Sequence, residues 1–290
     1  MDVHIVRRKD DPGHSVLTRI ANSLAEAGGW TISPYPRPSA DANYFLPYIE
    51  WAERFRGGHE TLTAAWFTHY EVTSAQKTGW WHDAAKGVDL RLTCVPEYAD
   101  MLAKDGPTAM FAPPVDLEHF TIAPERRQHG LVGVSGYVAR GARKGEHLVG
   151  MLVNDWGKAL NIQASGYGWP VRNQRDRAWA EMPAFYQSLE IYLCTSVIEG
   201  VPMPPLEALA CGTKVVIPRG VGMLDLLPNV PGVFRYERGD YQSMTDALIR
   251  ALNFSDWDSA ALREVAAQFT VERGVADHVR AFETLLERAA

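Results

Sequence analysis

The sequence predicts an α/β protein built from two doubly wound parallel sheets. Short apolar runs alternate with segments in which apolar residues recur at helical spacing, and one polar stretch near the middle interrupts this alternation. Strands that alternate with helices form parallel sheets covered on both faces. The length of 290 residues also fits two domains at roughly 150 residues each.

The first half of the chain starts with an apolar run at residues 3–8, a turn at 11–13 and an apolar helical period at 16–24. Further strands are predicted at 44–48, 62–68, 90–95 and 109–112, and further helices at 72–85 and 96–102. The polar stretch at 123–130 that follows is typical of a linker.

The alternation resumes after this stretch and defines a second domain. Strands are predicted at 131–138, 160–164, 191–195, 214–217 and 233–236, and helices at 146–158, 182–189, 204–210, 242–253, 259–269 and 271–287. We therefore expect an N-terminal Rossmann-like domain at 1–122, a C-terminal Rossmann-like domain at 123–270, and a final helix at 271–290 that packs back on the N-terminal domain. Because open parallel sheets bind ligands beyond the carboxyl ends of their strands, the expected ligand site is an inter-domain cleft.

Composition excludes several classes of protein. An apolar content of 46% with 22% charged residues describes an ordinary soluble chain rather than a disordered one. The net charge of −6 opposes binding to nucleic acid or anionic lipid. The three cysteines lack metal or disulfide spacing, and no apolar run reaches the roughly 20 residues that cross a bilayer. We therefore expect a cytoplasmic protein with no transmembrane segment and no metal site.

The most informative stretch of the chain is residues 195–218. A strand ends there, a Gly/Pro loop turns, and a helix begins near Pro204, where the missing proline N–H costs nothing. Glu199 lies at the strand end and Glu207 in the first turns of the helix. Carboxylates accept hydrogen bonds from vicinal hydroxyls, so this pair suits a ligand with two hydroxylated rings, such as a sugar and a ribose. The spacing alone favours a solvated helix face.

The flanking residues resemble a known signature. Glu-Gly, Pro, Leu-Glu-Ala-Leu-Ala-Cys-Gly and Val-Val within 195–218 are similar to the motif of retaining GT-B glycosyltransferases of family 4, which use nucleotide-diphosphate sugars. Other segments match further parts of that pattern: the inter-domain crossing at 111–120, the diphosphate-binding Gly136 with Lys144-Gly145, and the Leu-Pro…Tyr helix at 182–186.

The resemblance implies a role for each matching residue. Glu199 would contact the donor sugar near the reacting carbon, Glu207 would hold the ribose hydroxyls, and Lys144 would neutralise the diphosphate. Charge on the departing diphosphate grows as the glycosidic bond breaks, so a fixed cation there stabilises the transition state. Four further residues would contact the donor: Gly136, Gly200, Met203 and Leu206.

One position departs from the family pattern. The arginine that follows the diphosphate-binding glycine is replaced by Tyr137. Arg140 or Arg143 would then supply the second cation, unless it is absent, and the nearness of Arg143 to Lys144 favours Arg143. For each of the two arginines, a solvated loop is the alternative interpretation.

The first domain carries weaker candidates. Gly13 and His14 open a helix directly after the first strand, where a phosphate or an acceptor can approach the backbone, although a plain turn explains them equally well. His69 follows the strand predicted at 62–68 and matches the family's histidine beside the donor sugar. The alternative is a structural histidine whose hydrogen bonds are satisfied.

Other motifs have simpler explanations. Asp256-Trp-Asp258 has the spacing of a metal-binding Asp-x-Asp motif but suits a helix cap better. The Gly-x-Gly at 166–168 and the following Trp169 resemble a segment that precedes the base pocket in the family. The basic and aromatic run at 172–179 is too short to indicate nucleic-acid binding. Trp80, Trp81 and Tyr70 form either an acceptor platform or helix core.

The resulting hypothesis is a metal-independent, retaining glycosyltransferase without a cofactor. The C-terminal domain would bind the nucleotide-diphosphate sugar, and the N-terminal domain would bind an acceptor such as a small molecule, a glycan or a lipid head group, with nucleic acid disfavoured by charge. The alternatives are a nucleotide-sugar epimerase or phosphorylase on the same fold, and a non-catalytic GT-B-like binding module. The binding-module alternative is supported by Tyr137 and by the prolines at 202, 204 and 205, because these residues remove hydrogen-bond donors near the diphosphate.

Overall fold

The computed structural model describes residues 1–8, 15–57, 60–138 and 142–289. By its contacts the chain divides into two units. Unit 1 comprises Met1–Pro114 and Phe269–Ala290, and unit 2 comprises Val115–Gln268. Within the described residues each unit holds one six-stranded sheet in which every pairing is parallel. The predicted fold class, two α/β domains with doubly wound parallel sheets, is therefore confirmed.

Unit 1 has its first strand next to one edge of the sheet. The strands are β1 (Val3–Val6), β2 (Thr31–Ser33), β3 (Ala42–Phe45), β4 (Leu62–Trp66), β5 (Leu90–Thr93) and β6 (Thr108–Met110). They lie in the order β2-β1-β3-β4-β5-β6. The helices are α1 (Val16–Gly28), α2 (Tyr48–Arg54), α3 (Ala75–Gly87), α4 (Pro96–Leu102) and α10 (Val271–Ala289).

The helix α10 returns to unit 1 and is held there by a buried histidine. His278 is completely buried; its Nδ1–H donates to the Gly274 carbonyl at 2.6 Å, and the Tyr44 hydroxyl donates to its Nε2 at 3.1 Å. The rings of Trp30 and Phe111 pack against the same imidazole. Burial lowers the pKa of His278 from 6.5 to about 4, so this side chain is neutral in the folded protein at pH 7.

Because His278 is buried in its neutral form, we expect the stability of the fold to decrease at acidic pH. Because the pKa of His278 is about 4 in the folded chain and 6.5 in the unfolded chain, only the unfolded chain takes up the proton between these values. The free energy of unfolding should therefore fall as the pH drops from 6.5 toward 4, by about 3 kcal/mol from this residue. Urea unfolding of the wild type and His278→Gln at several pH values measures the difference. Equal pH slopes in the two proteins, with exposed His147→Gln as control, would contradict it.

Unit 2 has the doubly wound arrangement in one continuous stretch of chain. The strands are β7 (Leu131–Ser135), β8 (Asn161–Ser165), β9 (Asn173–Arg175), β10 (Ile191–Leu193), β11 (Lys214–Pro218) and β12 (Val233–Tyr236). They lie in the order β12-β11-β10-β7-β8-β9. The helices are α5 (Glu146–Trp156), α6 (Met182–Ser188), α7 (Met203–Ala210), α8 (Tyr241–Asn253) and α9 (Ser259–Ala266).

A buried ion pair stabilises the amino ends of the central strands of unit 2. Lys214, at the start of β11, donates to Glu190 Oε1 at 3.0 Å, and also to the carbonyls of Ala251 and Phe254 at 2.6 and 2.9 Å. Because every hydrogen of this ammonium has an acceptor, the charge is well compensated in the core. This pair lies at the end of the sheet opposite to the strand ends that precede Gly136 and Glu199, and it has a structural role.

The structure corrects three details of the predicted elements. The strand expected at 44–48 ends at Phe45, because Pro47, which has no N–H to pair, immediately precedes α2. Two edge strands, β2 and β9, escaped prediction because they are short and mostly polar or exposed. The stretch at 123–130 contains one 3₁₀ turn, and Arg127 within it donates to the Gly212 carbonyl at 2.9 Å inside unit 2.

Candidate functional site

The site in unit 2 is centred on a pair of opposite charges. Lys144 lies in the loop that follows β7, and Glu199 lies in the loop that follows β10. Since β7 and β10 are neighbours in the sheet, their loops meet at the same edge. There the Lys144 ammonium forms an ion pair with Glu199 Oε1, and the Ser196 hydroxyl donates to the same oxygen at 3.1 Å. The two charged side chains are 20% and 11% exposed, so both are partly accessible to a ligand.

The backbones of these two loops are bonded to each other. The Thr195 hydroxyl donates to the Lys144 carbonyl at 2.7 Å, and the Val197 amide donates to the Arg143 carbonyl at 2.9 Å. Between them, Gly145 has a φ of +65°, and a Cβ at this position would lie 1.9 Å from the Thr195 carbonyl oxygen. Only glycine fits such a close approach. The position of Lys144 is therefore set by the backbone rather than by its own side chain.

Gly136 provides the surface on which the Lys144 side chain lies. Its φ is +108°, and an added Cβ would come within 3.3 Å of Lys144 Cε. The Gly136 amide donates to the Ser165 carbonyl at 2.9 Å, and its carbonyl accepts from Trp169 Nε1 at 2.8 Å. Trp169 is consequently buried and has a structural role, whereas Tyr167 beside it is 54% exposed.

Glu207 lies deeper than the ion pair. It belongs to α7, is only 3% exposed, and accepts a hydrogen bond from the Tyr186 hydroxyl on Oε2 at 2.7 Å. A carboxylate this deeply buried needs hydrogen-bond donors to offset its lost hydration. The sequence placed Glu207 in the first turns of a helix, and the structure agrees, because α7 begins at Met203.

Three residues assigned to donor binding, Gly200, Met203 and Leu206, are all buried. Met203 and Leu206 are 4% and 0% exposed, so they belong to the core. Gly200 lies in the loop after Glu199, and its carbonyl accepts from the Met223 amide at 3.2 Å.

The second cation is the least defined part of the site. Arg143 is half-buried next to Lys144. Arg140, Gly13 and His14 lie outside the described residues. Tyr137, in the place of the family's arginine, is 60% exposed, and its hydroxyl donates to Asp176 Oδ1 at 2.6 Å. This bond to a carboxylate raises the pKa of Tyr137, so the position supplies no charge of its own.

His69 lies in unit 1, where it belongs to a small polar cluster. It follows β4, its Nε2 bonds Glu71 Oε1 at 2.7 Å, and its Nδ1 lies 3.2 Å from the Thr68 hydroxyl. Lys77 donates to the other Glu71 oxygen at 2.7 Å. Burial alone would raise the pKa of Glu71. The hydrogen bonds from Lys77 and His69 together lower it by more than burial raises it, so the net shift is downward. Both ring nitrogens of His69 therefore have protein partners.

The remaining motifs have structural roles. Asp258 caps α9 by accepting from the Ala260 amide at 2.8 Å, as the helix-cap interpretation predicts. Trp81 is 2% exposed and packs against Tyr48, Phe67 and Tyr98. The interpretation of this tryptophan as helix core is therefore confirmed.

In the part of the chain that the structure describes, no three His, Cys, Asp or Glu side chains come together as metal ligands. In the same residues no helix has the length and apolar character to span a membrane. The cysteines are buried, and burial raises the pKa of Cys194 to about 11.

Sequence reasoning assigned no role to three residues of the site. Tyr186, Thr195 and Ser196 all lie in quoted motifs, yet their hydroxyls bond Glu207, the Lys144 backbone and Glu199 respectively. The available signal was the presence of polar groups in otherwise apolar, buried segments. Buried polar groups need hydrogen-bond partners, and here these partners are the charged residues of the site.

Comparison with known proteins finds a family model that matches part of unit 2. Residues 151–253 match the family described as Glycosyl transferases group 1, and this segment contains both Glu199 and Glu207. No protein with a curated function is similar enough in sequence to match.

Several solved structures share the fold over the whole chain. Sucrose-phosphate synthase from Thermosynechococcus elongatus is 15% identical with a TM-score of 0.74, and the match covers 99% of this chain and 100% of that one. HepE from Anabaena, solved with UDP-glucose, is 12% identical with a TM-score of 0.71 over 100% and 99% of the two chains. The lipopolysaccharide outer core galactosyltransferase WaaB is 12% identical with a TM-score of 0.69 over 98% and 99%. At identities this low, the structural similarity shows a shared two-domain α/β fold, known as GT-B, and nothing finer.

Proposed function

We propose that this chain is a retaining glycosyltransferase that moves a sugar from a nucleotide-diphosphate sugar to an acceptor without a metal ion. The observation that carries the proposal is the Lys144–Glu199 ion pair, which lies at the carboxyl ends of neighbouring strands with Glu207 on the helix that follows. Ligands of open parallel sheets bind at this edge. The similar chain HepE was solved with UDP-glucose and with UDP, which supports a nucleotide-sugar donor here.

Lys144 has the main electrostatic role in this proposal. As the bond between the sugar and the diphosphate breaks, negative charge accumulates on the departing phosphate oxygen. An ammonium held in place by backbone bonds is preorganised for that charge and needs little rearrangement. Arg143, the neighbouring residue, is the proposed second cation, since its backbone is bonded to the same loop.

Glu199 controls Lys144 before the donor arrives. In the ligand-free chain this carboxylate compensates the ammonium, and a bound diphosphate would replace it as the partner. Glu199 would then be released toward the donor sugar, where it would accept hydrogen bonds from sugar hydroxyls.

The anomeric configuration is retained when the donor bond breaks and the acceptor bond forms on the same face of the sugar. The bond from the anomeric carbon to the diphosphate oxygen breaks, and the bond to the acceptor oxygen forms on the same face. The leaving phosphate takes the acceptor's proton. In this scheme the protein provides positioning and charge stabilisation rather than a general base.

A second candidate is a binding module that has the fold without turnover. It is favoured by Tyr137, an uncharged residue where the family has an arginine, and by the prolines of the α7 start, which lack N–H donors. A phosphorylase or epimerase on the same fold is a further alternative. A transferase differs from all of these in releasing a nucleoside diphosphate only when an acceptor is present.

A thermal-shift screen tests the proposal most directly. The chain is heated with the diphosphates of uridine, guanosine, adenosine, cytidine and thymidine. A donor-binding protein is expected to be stabilised by at least one of them in a concentration-dependent manner. The corresponding nucleotide sugar is then incubated with candidate acceptors, and the anomeric configuration of the product is determined by NMR. Stabilisation without product would favour the binding module, and an inverted product would exclude retention.

Glu207→Ala is the variant that tests the ribose assignment. Loss of a charged hydrogen-bond acceptor should weaken binding of the nucleoside diphosphate about tenfold. Calorimetric titration measures the affinity, and Glu264→Ala, an exposed glutamate on α9, is the control. Unchanged affinity in Glu207→Ala would remove the assignment.

A further inference from the structure

Tyr186 is the fixed partner of Glu207. Its side chain is completely buried in α6, and its hydroxyl donates to Glu207 Oε2 at 2.7 Å across 21 positions of sequence. A hydrogen bond from a neutral hydroxyl to a buried carboxylate is shorter and stronger than one between neutral groups. One oxygen of Glu207 is therefore held by the protein interior.

The phenol itself has little freedom to move. Its ring packs against Phe120 and Tyr192 with centroids 5.8 and 5.6 Å away. The Thr213 hydroxyl donates to the Tyr186 backbone carbonyl at 2.8 Å, which fastens α6 to the start of β11. Burial, followed by the charge of Glu207, raises the pKa of Tyr186 well above its ordinary value, so its hydroxyl keeps its proton and remains a donor.

These contacts set the plane of the carboxylate. A glutamate side chain can rotate about several bonds, and each rotation turns its oxygens away from a given ligand hydroxyl. A bond to one oxygen from a rigid donor removes most of that freedom before a ligand binds. Affinity for a diol then depends on this bond as well as on the carboxylate.

We propose that Tyr186 is a positioning residue that orients the Glu207 carboxylate for the two ribose hydroxyls of the donor. This inference rests on the proposed function, in which Glu207 holds the ribose. Tyr186 does not touch the ligand itself; it acts through Glu207.

The test compares a nucleoside diphosphate with its 2′,3′-dideoxy analogue, which lacks both ribose hydroxyls. The wild type should bind the diphosphate about tenfold more tightly than the analogue. Tyr186→Phe keeps the ring and should weaken the diphosphate about fivefold while changing the analogue less than about twofold. The buried Tyr236, whose hydroxyl bonds the Cys194 carbonyl at 2.9 Å, provides Tyr236→Phe as a matched control.

The outcomes separate the inference from the proposed function. A wild type that binds neither ligand, or both equally, overturns the donor and ribose assignments. A wild type that prefers the diphosphate, with Tyr186→Phe weakening both ligands equally or neither, overturns the positioning role alone.

A double-mutant cycle excludes a purely structural effect. If Tyr186 acts through Glu207, adding Tyr186→Phe to Glu207→Ala should change diphosphate affinity by less than about twofold. A further fivefold loss in the double variant overturns the inference. This comparison also serves if Tyr186→Phe alone does not fold, because the double variant has no buried carboxylate that needs the phenol.

Discussion

Lys144→Ala should lower kcat at saturating donor by about a hundredfold or more. The reason is that the Thr195 hydroxyl holds the Lys144 carbonyl, the Val197 amide holds the carbonyl of the preceding residue, and the Lys144 side chain lies against Gly136, so the ammonium is preorganised. Removal of one preorganised group at a developing charge typically costs two to three decades, roughly 3–4 kcal/mol. Steady-state kinetics with the donor identified by the thermal-shift screen measures the effect.

Lys144→Arg is the matched variant for this prediction. It keeps the positive charge but changes its shape, and it should recover part of the lost turnover. A result in which Lys144→Ala raises only KM, with kcat unchanged, would mean that the ammonium binds donor and transition state equally well. The electrostatic role proposed for Lys144 in catalysis would then be wrong.

Glu199→Gln should separate binding from turnover. The amide keeps the shape of the side chain but removes a negative charge from a site proposed to bind a diphosphate, and it releases Lys144 from its ion pair. Binding of the nucleoside diphosphate should therefore become several-fold tighter, since the ligand no longer competes with a carboxylate for the cation. Transfer should fall about a hundredfold, because the carboxylate proposed to face the sugar is lost.

Calorimetry on the Glu199→Gln variant measures the predicted gain in diphosphate affinity, and kinetics on the same preparation measures the predicted loss of transfer. Lys144→Ala provides the contrast, since it should weaken binding and turnover together. Weaker diphosphate binding in Glu199→Gln would show that the carboxylate supports the ammonium's position more than it competes for its charge. Partner exchange by Lys144 would then be excluded.

The fold was largely predictable because the burial of a strand or helix determines the spacing of its apolar residues. Strands buried on both faces, such as β7 and β11, appear as continuous apolar runs, and α4 begins with a proline that marks its first turn. The elements that escaped prediction lack these signals. The edge strand β9 consists of Asn, Gln and Arg, so only its backbone pairing with β8 defines it. The aromatic residue that starts α2 resembles strand composition, and only Pro47 indicates the break.

The position of Glu199 at a strand end could be predicted from the sequence, but the contacts around it could not. The motif around Glu199 is local in sequence, so its position at a strand end follows from the pattern. The bond between Lys144 and Glu199 spans 55 positions and depends on β10 lying next to β7, which no local period reveals. The burial of Glu207 beneath Tyr186 is hidden for the same reason, since it depends on how α6 packs on α7.

The path of α10 has a consequence for biosynthesis. Unit 1 is formed from residues on both sides of unit 2, and its last helix is translated after the whole of unit 2. Until that helix leaves the ribosome, the aromatic residues around the position of His278, including Trp30 and Phe111, lack the helix that covers them. Unit 2 is an uninterrupted stretch and can complete its sheet earlier. The nascent chain should therefore acquire protease resistance in unit 2 before unit 1, although most of unit 1 is synthesised first.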